Sequence, residues 1–453
     1  MTDRGDRCAP IGTVCPGWLQ AARFVVLVIG TGLAPRWAYA QYVPGEFPTG
    51  VPGYGEELGV TVVSRVRPLY VERGVRFGDL LLHADLNESA GYNSNIVGLH
   101  GGKGGPVIET NPSLELNSDW SRDAVGASIS ADNYQYPSDT SQDRTDWTAA
   151  LGGGYTIGRS NLTLSYAHLQ LFESPAFVGS PASTAPITFT VDDTRIAYPI
   201  ELSRLVITPN FETSLWRYGQ ATIGGVTENQ SFRDANEYRG GAAFKYALTG
   251  GTSLILTVQG IRSDFIRNQP GLPTQSSTSE LALGGIDYQY DGIWRYQALV
   301  GVEVREFDAP QFHTQTAPIA RAAVIWTPTG LTTVTATLLR AIEDPTVADT
   351  SGYTYTATEL RVDHEYAQNL LLHVRGGAEL AGYLQNGGTQ SAVYAGAGVT
   401  WLINRHMRLS AAYTYTTQNN FSSQVPIDGG LAVTALTPGY NQNLFLVTLH
   451  LGL

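Results

Sequence analysis

Trp294-Arg295-Tyr296-Gln297-Ala298-Leu299-Val300-Gly301-Val302-Glu303-Val304-Arg305 carries the pattern that decides the fold. Trp294, Tyr296, Ala298, Val300, Val302 and Val304 share one face of an extended chain. Arg295, Gln297, Gly301, Glu303 and Arg305 share the other. Period two marks a strand with one apolar and one polar surface. The run also has the length that crosses an apolar layer of ~30 Å at a steep tilt. It follows a tight turn at 291–292 and leads into a long connector, 306–318.

That pairing of a short and a long connector repeats along the chain from about Asp79 onward. The long connectors are 93–105, 133–144, 173–187, 218–233, 264–278, 306–318, 343–352, 384–390 and 418–439. The short ones are 121–123, 158–160, 199–203, 249–252, 291–292, 327–330, 367–369 and 404–406. A soluble sandwich has no reason to sort its loops by length, whereas an up-and-down barrel through a membrane has tight turns on one side and long loops on the other. Nine long and eight short connectors make seventeen hairpins, which join eighteen strands. An even count returns both ends of the barrel to the short-turn side, the periplasm.

The other segments repeat the alternation. Leu80, Leu82, Ala84 and Leu86 oppose His83, Asp85 and Asn87; Leu370, Leu372 and Val374 oppose His373 and Arg375. At the end of the chain Phe445, Val447, Leu449, Leu451 and Leu453 alternate with Leu446, Thr448, His450 and Gly452. Leu82, Val300, Leu372 and Leu449 are therefore expected to face lipid. Trp120, Trp147, Tyr155, Trp216, Trp294, Trp326, Trp401 and Tyr413 sit close to strand ends, where interfacial girdles belong. Segments 160–172 and 188–198 do not keep one parity, and His168-Leu169-Gln170-Leu171 shifts face as a bulge would. Merging or splitting one of these segments makes sixteen the second count. Closure requires the segment beginning near Asp79 to pair with 441–453, which leaves no edge strand in lipid.

Composition and the N-terminus agree. Only 15% of residues are charged, Gly is 50 and Tyr 24. No run of 18 apolar residues occurs, so no helix in the chain has the length of a bilayer span. Residues 1–40 read as a secretion signal: Arg4, Arg7 and Arg23, an apolar stretch from Phe24 to Leu33, and Ala38-Tyr39-Ala40 before a cut that leaves Gln41 first. Cys8 and Cys15 both fall in that segment, without a lipoprotein pattern, so the mature chain has no thiol chemistry. The net charge is -12; removing four Arg and two Asp with the signal brings it near -14. An acidic chain with only Lys103 and Lys245 as lysines is a poor nucleic-acid binder. Residues 41–78, rich in Pro and Gly as far as Leu58, form a periplasmic leader, either trailing free or folded back as a plug. The barrel itself is assigned to 79–453.

Ser64-Arg65-Val66-Arg67-Pro68, Gly74-Val75-Arg76-Phe77-Gly78 and Leu80 through Gly91-Tyr92-Asn93-Ser94-Asn95-Ile96 resemble the opening of the outer-membrane beta-barrel porin 2 family. Trp326-Thr327-Pro328-Thr329-Gly330-Leu331-Thr332-Thr333-Val334 resembles its tryptophan–proline turn, and Val362-Asp363-His364-Glu365, Asn369-Leu370 and Asn404-Arg405 continue the likeness over roughly 64–453. Two positions depart from the pattern: Asn93 stands where that family often has Asp, and Leu453 where many barrels end in an aromatic. The resemblance implies an outer-membrane channel of a Gram-negative bacterium, some of whose relatives are associated with exopolysaccharide synthesis and export.

Catalytic, cofactor and metal constellations are not found in the sequence. His364 and Glu365 are adjacent and so face opposite sides of a strand. Gly101-Gly102-Lys103-Gly104-Gly105 lacks the spacing of a phosphate loop. What remains is the wall of the lumen. Asp85, Glu237, Arg239, Arg295, Glu303, Arg305, Arg321, Glu359, Arg361, Asp363, Arg375, Glu379 and Arg408 are the candidate lining residues. Intermixed signs either set a transverse field that filters solutes or neutralise one another and stiffen the wall. The reading is a passive pore for hydrophilic solutes, with a saccharide conduit as its special case. The rivals are a closed structural or surface-interaction barrel and a barrel hydrolase. The implied partners are outer-membrane lipid, the barrel assembly machinery, and polysaccharide or small hydrophilic solutes.

Overall fold

The structure is a computed structural model and describes residues 46–453, apart from 56–58, 182, 224–225, 269–270, 290–291, 345, 347–350, 384–387, 420, 428–430 and 438. The signal segment with its two cysteines, and 41–45 of the leader, lie outside the described residues. Eighteen long strands follow one another in the chain. They are β1 (Leu80–Asn93), β2 (Gly105–Ser118), β3 (Ala124–Gln135), β4 (Arg144–Ile157), β5 (Ser160–Glu173) and β6 (Ile187–Ala197). Next come β7 (Leu205–Tyr218), β8 (Ala235–Thr249), β9 (Thr252–Phe265), β10 (Ser277–Tyr288), β11 (Trp294–Phe307) and β12 (Gln315–Thr329). The last are β13 (Thr332–Glu343), β14 (Tyr353–Ala367), β15 (Leu370–Tyr383), β16 (Thr389–Leu402), β17 (Met407–Gln418) and β18 (Tyr440–Gly452).

Each strand pairs antiparallel with its chain neighbours, and β1 closes on β18 from Asp85 opposite Gly452 to Asn93 opposite Leu444. The sheet is a closed eighteen-strand antiparallel barrel, so every strand edge is satisfied without water. Strands ~4.8 Å apart and tilted by ~40° close into a cylinder roughly 36 Å across between backbones at this strand number. The last long loop carries its own hairpin, Phe421–Ile427 against Leu431–Thr437.

Parity separates the two faces. Val300, Val374 and Leu164 are 69%, 58% and 56% exposed, on the face that an outer-membrane barrel turns to lipid. Their neighbours of opposite parity, such as Glu303 and Arg375, are buried. On the short-turn side the outer face carries stacked aromatic pairs, Trp294 on Trp326 at 5.3 Å and Tyr288 on Tyr296 at 4.9 Å. This is the amphipathic belt favoured where hydrocarbon meets headgroups. Trp216 corrects the reading of the girdle: it points inward and packs with the buried cluster around Phe189, 6.1 Å away.

The bulge anticipated in β5 is absent. β5 pairs with β4 and with β6 in unbroken register from one end to the other. Ala167, Leu169 and Leu171 all face the lumen and are essentially fully buried, while Tyr166 and His168 face outward. The parity does not slip; the polarity of the two faces inverts. An apolar stretch on a lumen wall needs a cover, and the leader supplies it.

Candidate functional site in the barrel lumen

The described part of the leader folds back onto the lumen wall from Phe47 to Val62, and Arg65, Arg67 and Glu72 tie the rest to strands near the short turns, where Val66 and Leu69 stay exposed. Phe47, Val51 and Tyr54 form one buried cluster with Ala150 of β4, Ala167, Leu169 and Leu171 of β5, Phe189 and Val191 of β6 and Tyr218 of β7. Phe47 and Tyr54 stack at 5.0 Å, and the Arg195 guanidinium covers both rings. The Tyr54 hydroxyl donates to the Asp193 carbonyl and to Asp193 Oδ1, each at 3.0 Å. Burial first and the Asp193 charge second hold that hydroxyl protonated far above the ordinary range. Gly152 of β4 makes the approach possible, since a Cβ there would overlap the Pro52 carbonyl. Burying Val51 and Tyr54 contributes ~1.5–3 kcal/mol each.

From this dock the leader crosses to the opposite wall. A side chain at Gly59 would strike Arg295. The Val62 amide donates to Thr333 Oγ1 at 2.9 Å. Arg65 and Arg67 both engage Glu365 of β14, Arg67 at 2.6 Å. Glu72 then sits at the β17–β18–β1 seam, accepting from Arg408 at 2.5 Å and lying 2.9 Å from His450 Nε2. Burial would raise the Glu72 carboxyl, but the His450 hydrogen bond and the Arg408 charge outweigh it and hold it well below the ordinary carboxylate range. Glu72, Asp85 and His450 place donor atoms within 4.8 Å of one another, a spacing a cation could use. The Arg408 guanidinium already occupies Glu72 Oε1, so the group works as a latch on the leader.

The third long connector enters the mouth from the other end. Val178 packs with Tyr353 and Tyr355 of β14, Ala381 of β15 and Ala392 of β16. The Gly179 amide donates to Gln390 Oε1 at 2.8 Å, and the Tyr440 hydroxyl donates to the Ala176 carbonyl at 2.9 Å. The connector thus bridges the lumen from β5 to β14–β16. At its root the Arg233 Nη1 meets Glu173 Oε2 at 2.7 Å, with both side chains fully enclosed and the guanidinium 4.0 Å over the Tyr218 ring. Arg233 Nε and Nη2 and Glu173 Oε1 have no hydrogen-bond partner among the described residues. Each unmade bond on a buried polar group costs ~1–3 kcal/mol, and more when the group is charged.

All thirteen candidate lining residues have inward parity. Asp85, Arg295 and Arg408 face the leader. The others lie on β8 and β11–β15, an arc the apolar dock does not cover. There Glu237 pairs with Arg239 at 2.6 Å, Arg361 with Asp363 at 2.9 Å, and Arg305 with Asp344. The Tyr394 hydroxyl donates to Glu359 at 2.8 Å. Glu303, Arg305, Arg375 and Glu379 are buried within this network, whereas Arg321 is exposed to the lumen with no acidic partner among the described residues. Period-two reading reaches residues on strands; it missed Glu173 and Arg233 because they sit at the root of a loop and inside one. The signal available for them was a lone Glu ending an apolar run and an Arg two residues after Ser231 in a connector, neither of which is specific.

A closed barrel with an apolar outer wall, an aromatic belt and a charged lumen defines a porin-like barrel of the outer membrane. The chain belongs to the family described as "Putative beta-barrel porin 2", whose family model matches residues 67–428. No curated protein matches it in sequence. Among solved structures it is similar to OccK1 (OpdK) of Pseudomonas aeruginosa, at 12% identity over 82% of this chain and 99% of that one, with a TM-score of 0.44. It is also similar to the FrpB iron transporter of Neisseria meningitidis, at 10% identity over 82% of this chain and 81% of that one, with a TM-score of 0.40.

Proposed function

We propose that the chain is a passive outer-membrane channel for hydrophilic solutes, narrowed by its own leader and its third extracellular loop. The carrying observation is the uneven lining. The leader docks on the apolar patch of β4–β7, while β8 and β11–β15 present mixed charge with Arg321 open to the lumen. A wall meant only to be sealed has no use for an exposed cation at mid-lumen, whereas a pore uses such charges to filter. Both ends of the strand series lie on the short-turn side, which in this reading is the periplasm, with 1–40 removed as a signal and 41–78 forming the leader ahead of the barrel at 79–453. The family resemblance extends the proposal to saccharide chains. No reaction is assigned to the lumen.

The second reading, a closed structural barrel, is favoured by the buried contacts of leader and loop at both ends. Planar-bilayer recording of the purified full chain separates the two. Discrete ohmic steps support the channel, and a silent bilayer under all voltages rejects it. Liposome swelling in neutral oligosaccharides then tests the saccharide extension.

A further inference from the structure

The Arg233–Glu173 pair is incompletely used in a way that points to a ligand. Glu173 takes only Nη1 of the guanidinium. The opposite edge, formed by Nε and Nη2, is free among the described residues, and so is Glu173 Oε1. Those two N–H groups form the fork that accepts a carboxylate through two parallel hydrogen bonds. Tyr218 lies on the flat face of the guanidinium and keeps its plane fixed. Beside the fork, Oε1 is an acceptor awaiting a hydroxyl or ammonium donor. Segment 174–181 continues directly from Glu173, with Val178 and Gly179 seated against Tyr353, and the pair itself is fully enclosed. Access to the enclosed pair requires this neighbouring segment to move, and Gly179, at φ 93°, holds a backbone conformation most residues resist.

We propose that the free edge of Arg233 and the free oxygen of Glu173 form a recognition site at the extracellular bridge for small organic acids whose carboxylate neighbours a hydroxyl or ammonium group. The proposal rests on the channel reading and names the solute class it favours. Phosphate suits the site less well, because Arg233 and Glu173 already sum to zero charge and a dianion would face the Glu173 oxygen. A monocarboxylate with an adjacent donor satisfies all three free atoms.

Calorimetric titration of the full-length protein in detergent tests this with gluconate, propionate and sorbitol as probes. Gluconate should bind saturably and at least tenfold tighter than propionate, which lacks the donor, and than sorbitol, which lacks the charge. Arg233→Lys keeps the charge and loses the fork, and should weaken gluconate at least tenfold; Glu173→Gln should reduce the gluconate preference over propionate. Equal heats for gluconate and sorbitol in the wild type, or unchanged affinity in a folded Arg233→Lys protein, overturn the proposal. If Arg233→Lys does not fold, the wild-type ranking alone decides. A barrel that conducts but shows no gluconate preference loses the site and keeps the channel. One that binds gluconate yet never conducts loses the channel.

Discussion

Leu449 and Arg321 occupy opposite faces of the same wall, and the surroundings of each set the cost of changing it. Leu449 is on the outer face of β18, level with Leu409 of β17 and Glu88 of β1. Arg at a lipid-facing mid-bilayer position destabilises by roughly 2–4 kcal/mol. Leu449→Arg should therefore lower the stability measured by urea refolding into vesicles by that amount. Arg321→Gln removes a lumen-facing charge with no acidic partner among the described residues and should stay within about 0.5 kcal/mol of the wild type. Equal losses would mean the facing is inverted. This contrast was legible in the sequence because lipid leaves a strand no option but to alternate. Trp216 was misread for the converse reason: a tryptophan near a strand end suits a girdle and a covered lumen equally well, and only packing against Phe189 distinguishes them.

Among the elements, β5 was the least legible, and the reason is physical. Period-two reading assumes water in the lumen, so His168-Leu169-Gln170-Leu171 looked like a shift of face at a bulge. Leu169 and Leu171, with Ala167, are the dock for Phe47, Val51 and Tyr54, which are distant in sequence and set among prolines and glycines that advertise no structure. The third loop was equally silent, since its tie to β14 and β16 runs through Val178 and one Gly179 amide. Gly179→Val tests the bridge. A Cβ there meets the Tyr353 hydroxyl at 2.5 Å and strains a left-handed backbone, so the loop should leave the Tyr353 wall. Single-channel conductance should rise while heat-modifiable mobility stays that of the wild type. An unchanged conductance would show that the loop does not limit flow.

At the scale of the whole molecule, width decides what the leader and loop accomplish. A cylinder roughly 36 Å between backbones is too wide for one extended segment and one short bridge to seal by volume alone. They instead divide it: the leader covers β4–β7 and crosses to Arg295, Thr333 and Glu365, the loop bridges to Tyr353 and Ala381, and the middle of the charged arc, with Arg321, lies between these contacts. On the proposed channel reading, solutes moving along that arc meet Arg321, whose charge has no acidic partner among the described residues. Arg321→Glu should thus shift the reversal potential toward cation preference in a salt gradient. Screening shortens from ~10 Å at 0.1 M to ~3 Å at 1 M, so the shift should be large in dilute salt and small in concentrated salt. If the mixed charges served only to stiffen the wall, the substitution would leave the reversal potential unmoved at every salt concentration. A shift that did not shrink with salt would place Arg321 itself at a constriction too dry for counter-ions to enter.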